Sequence, residues 1–431
     1  MAKFLFATMP ITGHVNPVVP IASELVHRGH DVRWYTGRRF QPKIEAAGAT
    51  YVPMKAAVDF DEGDVEAYFP KRKGLKGIAG LKFDFKHIFI DSAIGQNQDL
   101  TEILRDSTAD VILSEIVFLG STLFAPTDRP LSAGVGLFPL GISSSDTAPF
   151  GPGIPPNASS IGRVRNLFLN WMTHQVMFRD VQAYANGQRE KMGLPSLKQF
   201  FLDAACNMFS IYLQGTTPAF EYQRSDMPDH IHFIGPLLPK SHDAFSQPSW
   251  WDDLKSDPTV ILVTQGTVAT DYNKLMLPTI QVLADENVLV VATTGNPVEH
   301  LKLIHPPDNL RLEQFIPYDK LLPHVDVMIT NAGYGGIQFA LSYGVPLVVA
   351  GQTEEKAEIC ARVDWAGVGI NLKTDSPKPQ QIKKAVKKVL ADTKYKQRAR
   401  QIQYDFARYH APTKAAELLE ELAEKKQPIL R

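Results

Sequence analysis

His14 lies in Thr12-Gly13-His14-Val15-Asn16-Pro17, directly after the apolar run Lys3 to Met9. An imidazole titrates near neutral pH, so at the end of a strand it can take a proton from an attacking hydroxyl. General base catalysis of this kind is worth about 10²–10⁴-fold. Gly13 permits a tight turn beside it. The chain holds 12 histidines, and from spacing alone a catalytic base and a structural turn histidine fit His14 equally well. Such a base is helped by a carboxylate that fixes its tautomer and stabilises the imidazolium. Glu115 closes the apolar run from Asp110, which puts it at the same edge of a parallel sheet as His14. Unpaired burial of a carboxylate is costly, so a dyad explains Glu115, but a solvent-exposed strand end explains it as well.

Later in the chain, Thr264-Gln265-Gly266-Thr267 follows a Val/Ile/Leu run, and Val327 to Thr330 leads into Asn331-Ala332-Gly333-Tyr334-Gly335-Gly336. A strand, a small-residue turn and a helix N-terminus together make an anion site, because free backbone N–H groups and the helix dipole point at the ligand. Either turn alone also fits a tight turn with no ligand. Asp59-Phe60-Asp61 has the look of a metal-binding aspartate pair, but no strand precedes it and a solvated acidic loop accounts for it. No His-Glu-x-x-His, Cys-x-x-Cys, Walker loop or Gly-x-Ser-x-Gly elbow occurs, so no metal site is indicated.

These residues need a scaffold. Lys3 to Met9 reads as a strand, Pro17 to Arg28 as a helix with Asn16 as its N-cap, and Asp31 to Thr36 as the next strand, with Gly29 ending the helix between them. Further strands are predicted at Val111 to Ser114, Leu131 to Val135, Phe209 to Leu213 and His232 to Ile234, with helices at Ile161 to Met192 and around Leu197 to Asp203. A second alternation holds strands at Val260 to Thr264, Leu289 to Thr293, Leu310 to Gln314, Val327 to Thr330 and Leu347 to Ala350. The pattern is α/β throughout, with parallel sheets covered on both faces. We expect a first domain over 1–235, a linker over 236–258, a second domain over 259–408 and a closing helix over 409–431. Open parallel sheets bind ligands beyond the carboxyl ends of their strands, so the site belongs in the cleft between the domains.

A length of 431 residues suits two cores, and 45 basic against 46 acidic residues build no field for nucleic acid. No run reaches the roughly 18 apolar residues of a membrane span, and the N-terminus lacks the plan of a signal peptide. Cys206 and Cys360 are the two cysteines; buried thiols and a single disulfide both remain open, and their scarcity suits a reducing compartment, so a cytoplasmic setting is expected.

Taken together, Gly13 to Pro17, Thr264 to Thr267 and the block from Phe315 to Gly369 resemble the nucleotide-sugar glycosyltransferase family that includes plant secondary-metabolite and bacterial macrolide enzymes. Within that block Leu322-Pro323-His324-Val325-Asp326, Thr330 to Gly333 and Ala340 to Pro346 carry most of the likeness. The resemblance implies the GT-B architecture, two Rossmann-like domains facing across a cleft. It also implies inverting, metal-free transfer from a nucleotide diphosphate, most simply a UDP-sugar, with no further cofactor. His14 is then the base and Glu115 its support. Phe315 stacks on the nucleobase, Ile316 bonds its edge, and Gly13, Gly266, Thr267, Asn331, Ala332, Gly333, Gly335 and Gly336 surround the diphosphate. The closing helix is expected to pack on the first domain.

This chain departs from the family pattern at several positions. The supporting carboxylate is usually Asp, and Asn331 replaces a phosphate-binding histidine. Gly335 and Gly336 replace an Asn-Ser pair, and Phe339 stands where a glutamate grips the ribose. Glu355-Lys356 replaces the Asp-Gln pair at the sugar, and Lys356 is also suited to answering the diphosphate. UDP-glucose is the first expectation for the donor; UDP-N-acetylglucosamine and a dTDP-deoxysugar remain open. Phe138, Phe150, Phe168 and Met172 fall where the family builds its acceptor pocket and favour a small apolar acceptor such as a flavonoid, although helically spaced aromatics also suit a core. Arg163 to Trp171 also suits contact with a membrane surface, though without stable insertion. A monomer or weak dimer is expected. Two rival readings are a nucleotide-sugar epimerase and a non-catalytic ligand-binding protein.

Overall fold

The computed structural model describes residues 1–239, 245–256, 258–266, 271–301, 303, 305–353 and 355–431. The first sheet is built from β1 (Lys3–Ala7), β2 (Asp31–Thr36), β3 (Thr50–Pro53), β4 (Val111–Glu115), β5 (Ser132–Gly136), β6 (Ile211–Gln214) and β7 (Ile231–Phe233). Their order is β3-β2-β1-β4-β5-β6-β7, every pairing parallel. The second sheet repeats the plan with β8 (Val260–Thr264), β9 (Leu289–Thr293), β10 (Leu310–Glu313), β11 (Val327–Thr330), β12 (Leu347–Val349) and β13 (Gly369–Asn371). Its order is β10-β9-β8-β11-β12-β13. In each sheet the winding reverses between the domain's first and fourth strands, β1/β4 and β8/β11. Those reversals open the crevices in which such sheets hold ligands. The two α/β domains are the expected fold.

Most predicted elements lie within a residue or two of the observed ones, and the differences have physical causes. Asn16 does not cap a helix. The chain turns helical already at Thr12–Val15, with Ile11 as the extended residue before it, and Asn16 is itself helical. Its side chain instead accepts from Lys43 Nζ at 2.6 Å. Pro17 lies inside this continuous series of turns because they shift register at Asn16–Val18 before Val19–His27 begins. Gly29 does end that helix, at φ +84°. The short edge strands β3 and β13 carry too little apolar alternation to be read beforehand. The lysine-rich stretch from Lys383 to Arg400 is two helices, Pro379–Ala391 and Thr393–Phe406, with Asp392 capping the second.

Helix Ala411–Lys425 crosses back from the second domain and lies on Val19–His27. Ala415, Ala416, Leu419 and Leu422 enter the same core as Phe4, Ile21 and Trp34. Part of the stretch expected as linker, Trp251 and Leu254, packs into the second core beside Val260 and Leu262. Cys206 and Cys360 are both free and buried. No helix of the described residues is long and apolar enough to cross a membrane.

Candidate active site

β1 and β4 pair with Ala7 opposite Ser114, so the residues just past them meet at the carboxyl edge. The helical turn at Thr12–Val15 brings His14 over Glu115, and Nδ1 lies 2.9 Å from Glu115 Oε1. Glu115 is fully buried and His14 is 6% exposed. The backbone anchors the carboxylate: Met9 N–H donates to Oε1 at 3.4 Å and Val117 N–H to Oε2 at 2.8 Å. An acceptor-only carboxylate requires the proton on Nδ1, which leaves the lone pair on Nε2. Burial opposes charging of His14 and is the largest influence on it. The charge and hydrogen bond of Glu115, with smaller help from Glu355 and Glu62, outweigh that burial and hold the pKa above the ordinary histidine value. Glu62 is placed by Thr12, whose N–H and hydroxyl both bond its carboxylate.

Of these carboxylates Glu355 belongs to the second domain, so its charge acts on His14 from across the cleft. β11 pairs β8 with Thr330 opposite Thr264, and β12 pairs β11 with Val349 opposite Thr330. Three neighbouring turns therefore share one edge: Gln265-Gly266, Asn331 to Gly336, and the one that opens at Gly351 to Thr353. Gly266 adopts φ +72° with open space around its Cα, and nothing lies within 4 Å of a Cβ at Gly13, Gly333 or Gly335. A Cβ at Gly336 would meet Met328 and Tyr318 only at ordinary contact distance. Gly333 begins helix Tyr334–Ser342 with no side-chain cap, leaving its first N–H groups free for an anion. Ala332 is buried at φ +67°, a conformation that costs a non-glycine residue about 1–3 kcal/mol and is tolerated where the surroundings impose it. Thr267 lies outside the described residues.

Gly351 carries no local signal that would mark it beforehand. A Cβ there would meet Asn331 O at 2.7 Å and Lys356 Cβ at 2.8 Å, so the bare backbone lets Lys356 close on the Asn331 turn. Phe315 is 68% exposed while its neighbour Ile316 is buried, an apolar ring standing free beside the last strand of its edge.

The structure separates the four residues expected to line an acceptor pocket. Phe138 meets the His14 ring edge-on at 5.2 Å. Phe150 lies on the backbone of Gly141, in the same loop. Phe168 and Met172 stand on the outward face of helix Ser160–Met172, opposite the side that bonds the carbonyls of Ser144, Ser145 and Thr147. Helical spacing gave them the same apolar signature as core residues and could not say which way they face. Asp59 and Asp61 are engaged by the Arg38 N–H and the Arg39 guanidinium respectively. A cavity of about 510 Å³ escaped the sequence reading; Ala56, Ala57, Phe69, Phe83, His87 and Gly95 are among its lining residues. The residue after Gly95, Gln96, donates from Nε2 to Met9 Sδ at 3.0 Å, so the helix that lines this cavity touches the segment between β1 and the His14 turn.

A buried ionic network ties the two halves of the site. Arg362 donates to Glu221 Oε1 at 2.8 Å and to Glu358 Oε2 at 2.8 Å, and its guanidinium lies 4.0 Å from the centre of the Tyr222 ring. Glu358 Oε1 accepts the N–H groups of Gly151 and Gly153 at 3.0 and 2.9 Å, while Glu221 Oε2 accepts that of Leu140 at 2.8 Å. Glu358 and Arg362 belong to helix Lys356–Trp365. The loop that carries Phe150, Gly151 and Gly153 is therefore fastened to the helix that begins at Lys356.

Known proteins resemble this chain along nearly its whole length. Residues 277–422 match the erythromycin biosynthesis protein CIII-like C-terminal domain. The chain is 44% identical to 4'-demethylrebeccamycin synthase of Lentzea aerocolonigenes over 98% of its own length and 99% of that protein's. It is 32% identical to UDP-glucosyltransferase A1 of Starmerella bombicola, covering 96% and 91%. Among solved structures it resembles the calicheamicin glycosyltransferase CalG4, with TM-score 0.74, 21% identity and 98% of each chain covered. With the repeated GT-B domains, these matches show that the chain belongs to the nucleotide-sugar glycosyltransferase family of the UDP-glycosyltransferase and macrolide type.

Proposed function

We propose that this glycosyltransferase moves a hexose from a UDP-sugar to a hydroxyl of a small apolar natural product, with inversion and without a metal, and that His14 is the base. The observation that carries the proposal is the buried His14–Glu115 pair, 2.9 Å apart, with Glu355 across the cleft. The acceptor hydroxyl gives its proton to His14 Nε2 as its oxygen bonds the anomeric carbon. The bond from that carbon to the diphosphate oxygen breaks, the electron pair leaves with the nucleoside diphosphate, and the imidazolium later releases its proton to water. Attack from the face opposite the leaving group inverts the anomeric centre. Glu115 stabilises the imidazolium and keeps Nδ1 protonated.

The free N–H groups of Gly335 and Gly336, the open Gly266 turn and Lys356 receive the diphosphate, a role that backbone donors and one cation can fill without a metal. Phe315 is exposed for stacking on the base. The name of the Starmerella relative supports UDP-glucose as the donor to try first. Phe138 beside His14, Phe150 in the loop that Glu358 fastens, and the cavity at Ala56 and Phe69 favour an apolar acceptor.

The test is product mass spectrometry on the purified protein with a panel of nucleotide sugars and natural-product acceptors, run in parallel on His14→Ala. We expect a sugar adduct that falls by about 10² or more in the variant. An adduct unaffected by His14→Ala would remove the base assignment, and donor turnover without acceptor would point to an epimerase.

A further inference from the structure

Helix Ser160–Met172 is built inside out. The residues it turns inward are polar or small: Gly162, Asn166 and Asn170 are all buried, Asn166 completely. Asn166 Nδ2 donates to the carbonyls of Ser145 and Asn157, and Asn170 Nδ2 to those of Ser144 and Thr147. The residues it turns to the outside are large and apolar. Ile161 is 84% exposed, Val164 69%, Phe168 57% and Trp171 54%, with Met172 beside them, and Val176 in the wider turn Thr173–Met177 that continues the helix is 56% exposed. A surface helix ordinarily shows the reverse pattern.

These six side chains expose roughly 700–800 Å², beyond the ~300–600 Å² of the largest patch on a typical monomer. The value is close to the ~800 Å² that each partner buries in a standard interface. Five of the six are spaced nearly symmetrically about Phe168: Val164 and Met172 lie four residues to either side, and Ile161 and Val176 seven and eight, while Trp171 is mirrored by Arg165. A two-fold axis through Phe168 would set Val164 of one helix against Met172 of an antiparallel copy, the self-matching arrangement that an isologous contact requires. The six side chains are uncharged; Arg165, on the same arc, is turned back to Asn166 and the Pro155 carbonyl, and Arg163 is held by Asp146 and Ser225. A helix lying in a membrane surface instead carries a basic polar face; here the polar face is amide and turned inward. We infer that this helix face is a homodimer interface, occupied by the same face of a second copy of this chain.

The test uses the full chain. Sedimentation velocity over about 1–100 µM should give twice the 47.9 kDa chain mass, and Val164→Glu, at a position already open to solvent, should return it to monomer with an unchanged circular dichroism spectrum. Phe168→Cys on the axis should form an intermolecular disulfide on mild oxidation. Ile161→Cys should not, because seven residues at ~1.5 Å each put the two copies of that position about 20 Å apart. Burial pushes the native Cys206 and Cys360 thiols up to about 12, so they do not compete. A chain that stays monomeric at 100 µM overturns the inference, as does a dimer indifferent to Val164→Glu or one that fails to cross-link at 168. Monomers that instead co-sediment with phosphatidylcholine vesicles would assign the face to a bilayer and overturn it too.

Discussion

Replacing Glu115 with Gln keeps the size of the side chain and removes its charge, and the surrounding donors leave the amide no good orientation. With its oxygen toward His14 Nδ1–H and the Met9 N–H, the amide NH₂ faces the Val117 N–H that now donates to Oε2 at 2.8 Å. That sets donor against donor at a buried site, a mismatch of about 1–3 kcal/mol. Flipped, the NH₂ points at His14 Nδ1 and favours the tautomer whose Nε2 carries the proton, so the base is blocked. Both arrangements also lose the charge that stabilises the imidazolium, and we expect kcat/KM to fall by about 10²–10⁴-fold. The pH profile adds a second readout. A base must be neutral to act, so the wild-type rate is flat above the His14 pKa and falls about tenfold per pH unit below it. That pKa sits above the ordinary value because Glu115, with Glu355 and Glu62, outweighs burial. In Glu115→Gln burial dominates, and the acid limb should move to lower pH even as the plateau drops. Initial rates from pH 5 to 9 on both proteins measure this. An unmoved acid limb with less than a tenfold loss would refute the role assigned to the pair.

Three further outcomes follow from particular contacts. Phe315→Ala should leave stability within about 0.5 kcal/mol because the ring is exposed, while KM for the nucleotide sugar rises about 5- to 150-fold, the worth of one base stack; titration of initial rates and thermal unfolding separate the two. Arg362→Met strands the buried Glu358 carboxylate, leaves Glu221 with Arg224 alone, and should cost about 3–5 kcal/mol in urea unfolding. Gly153→Ala places a Cβ 2.5 Å from the Ala357 carbonyl at φ +66°. It should cost about 1–3 kcal/mol and lower kcat/KM for acceptor by parting the loop from the helix that begins at Lys356.

The strand–turn–helix units, and the small-residue turns at their ends, were legible from residue order alone. Apolar runs bounded by glycine and proline fix where strands end, and in parallel sheets functional groups gather at those ends. That is why His14, Glu115, Gly266 and Asn331 could be placed at strand ends, as candidates, without knowing what each would touch. Tertiary structure alone decided the partners. Only the β1–β4 register turned two separated residues into a 2.9 Å pair, and only interdomain packing brought Glu355 opposite His14. Gly351, Glu221, Glu358 and Arg362 left no local signal, because their meaning lies in contacts made across 100 residues or more or against another turn. Phe168 and Met172 show the limit most directly. A helical period tells which residues share a face, but whether that face looks into a pocket, a core or solvent depends on the hydrogen bonds its opposite side finds, here the buried amides of Asn166 and Asn170.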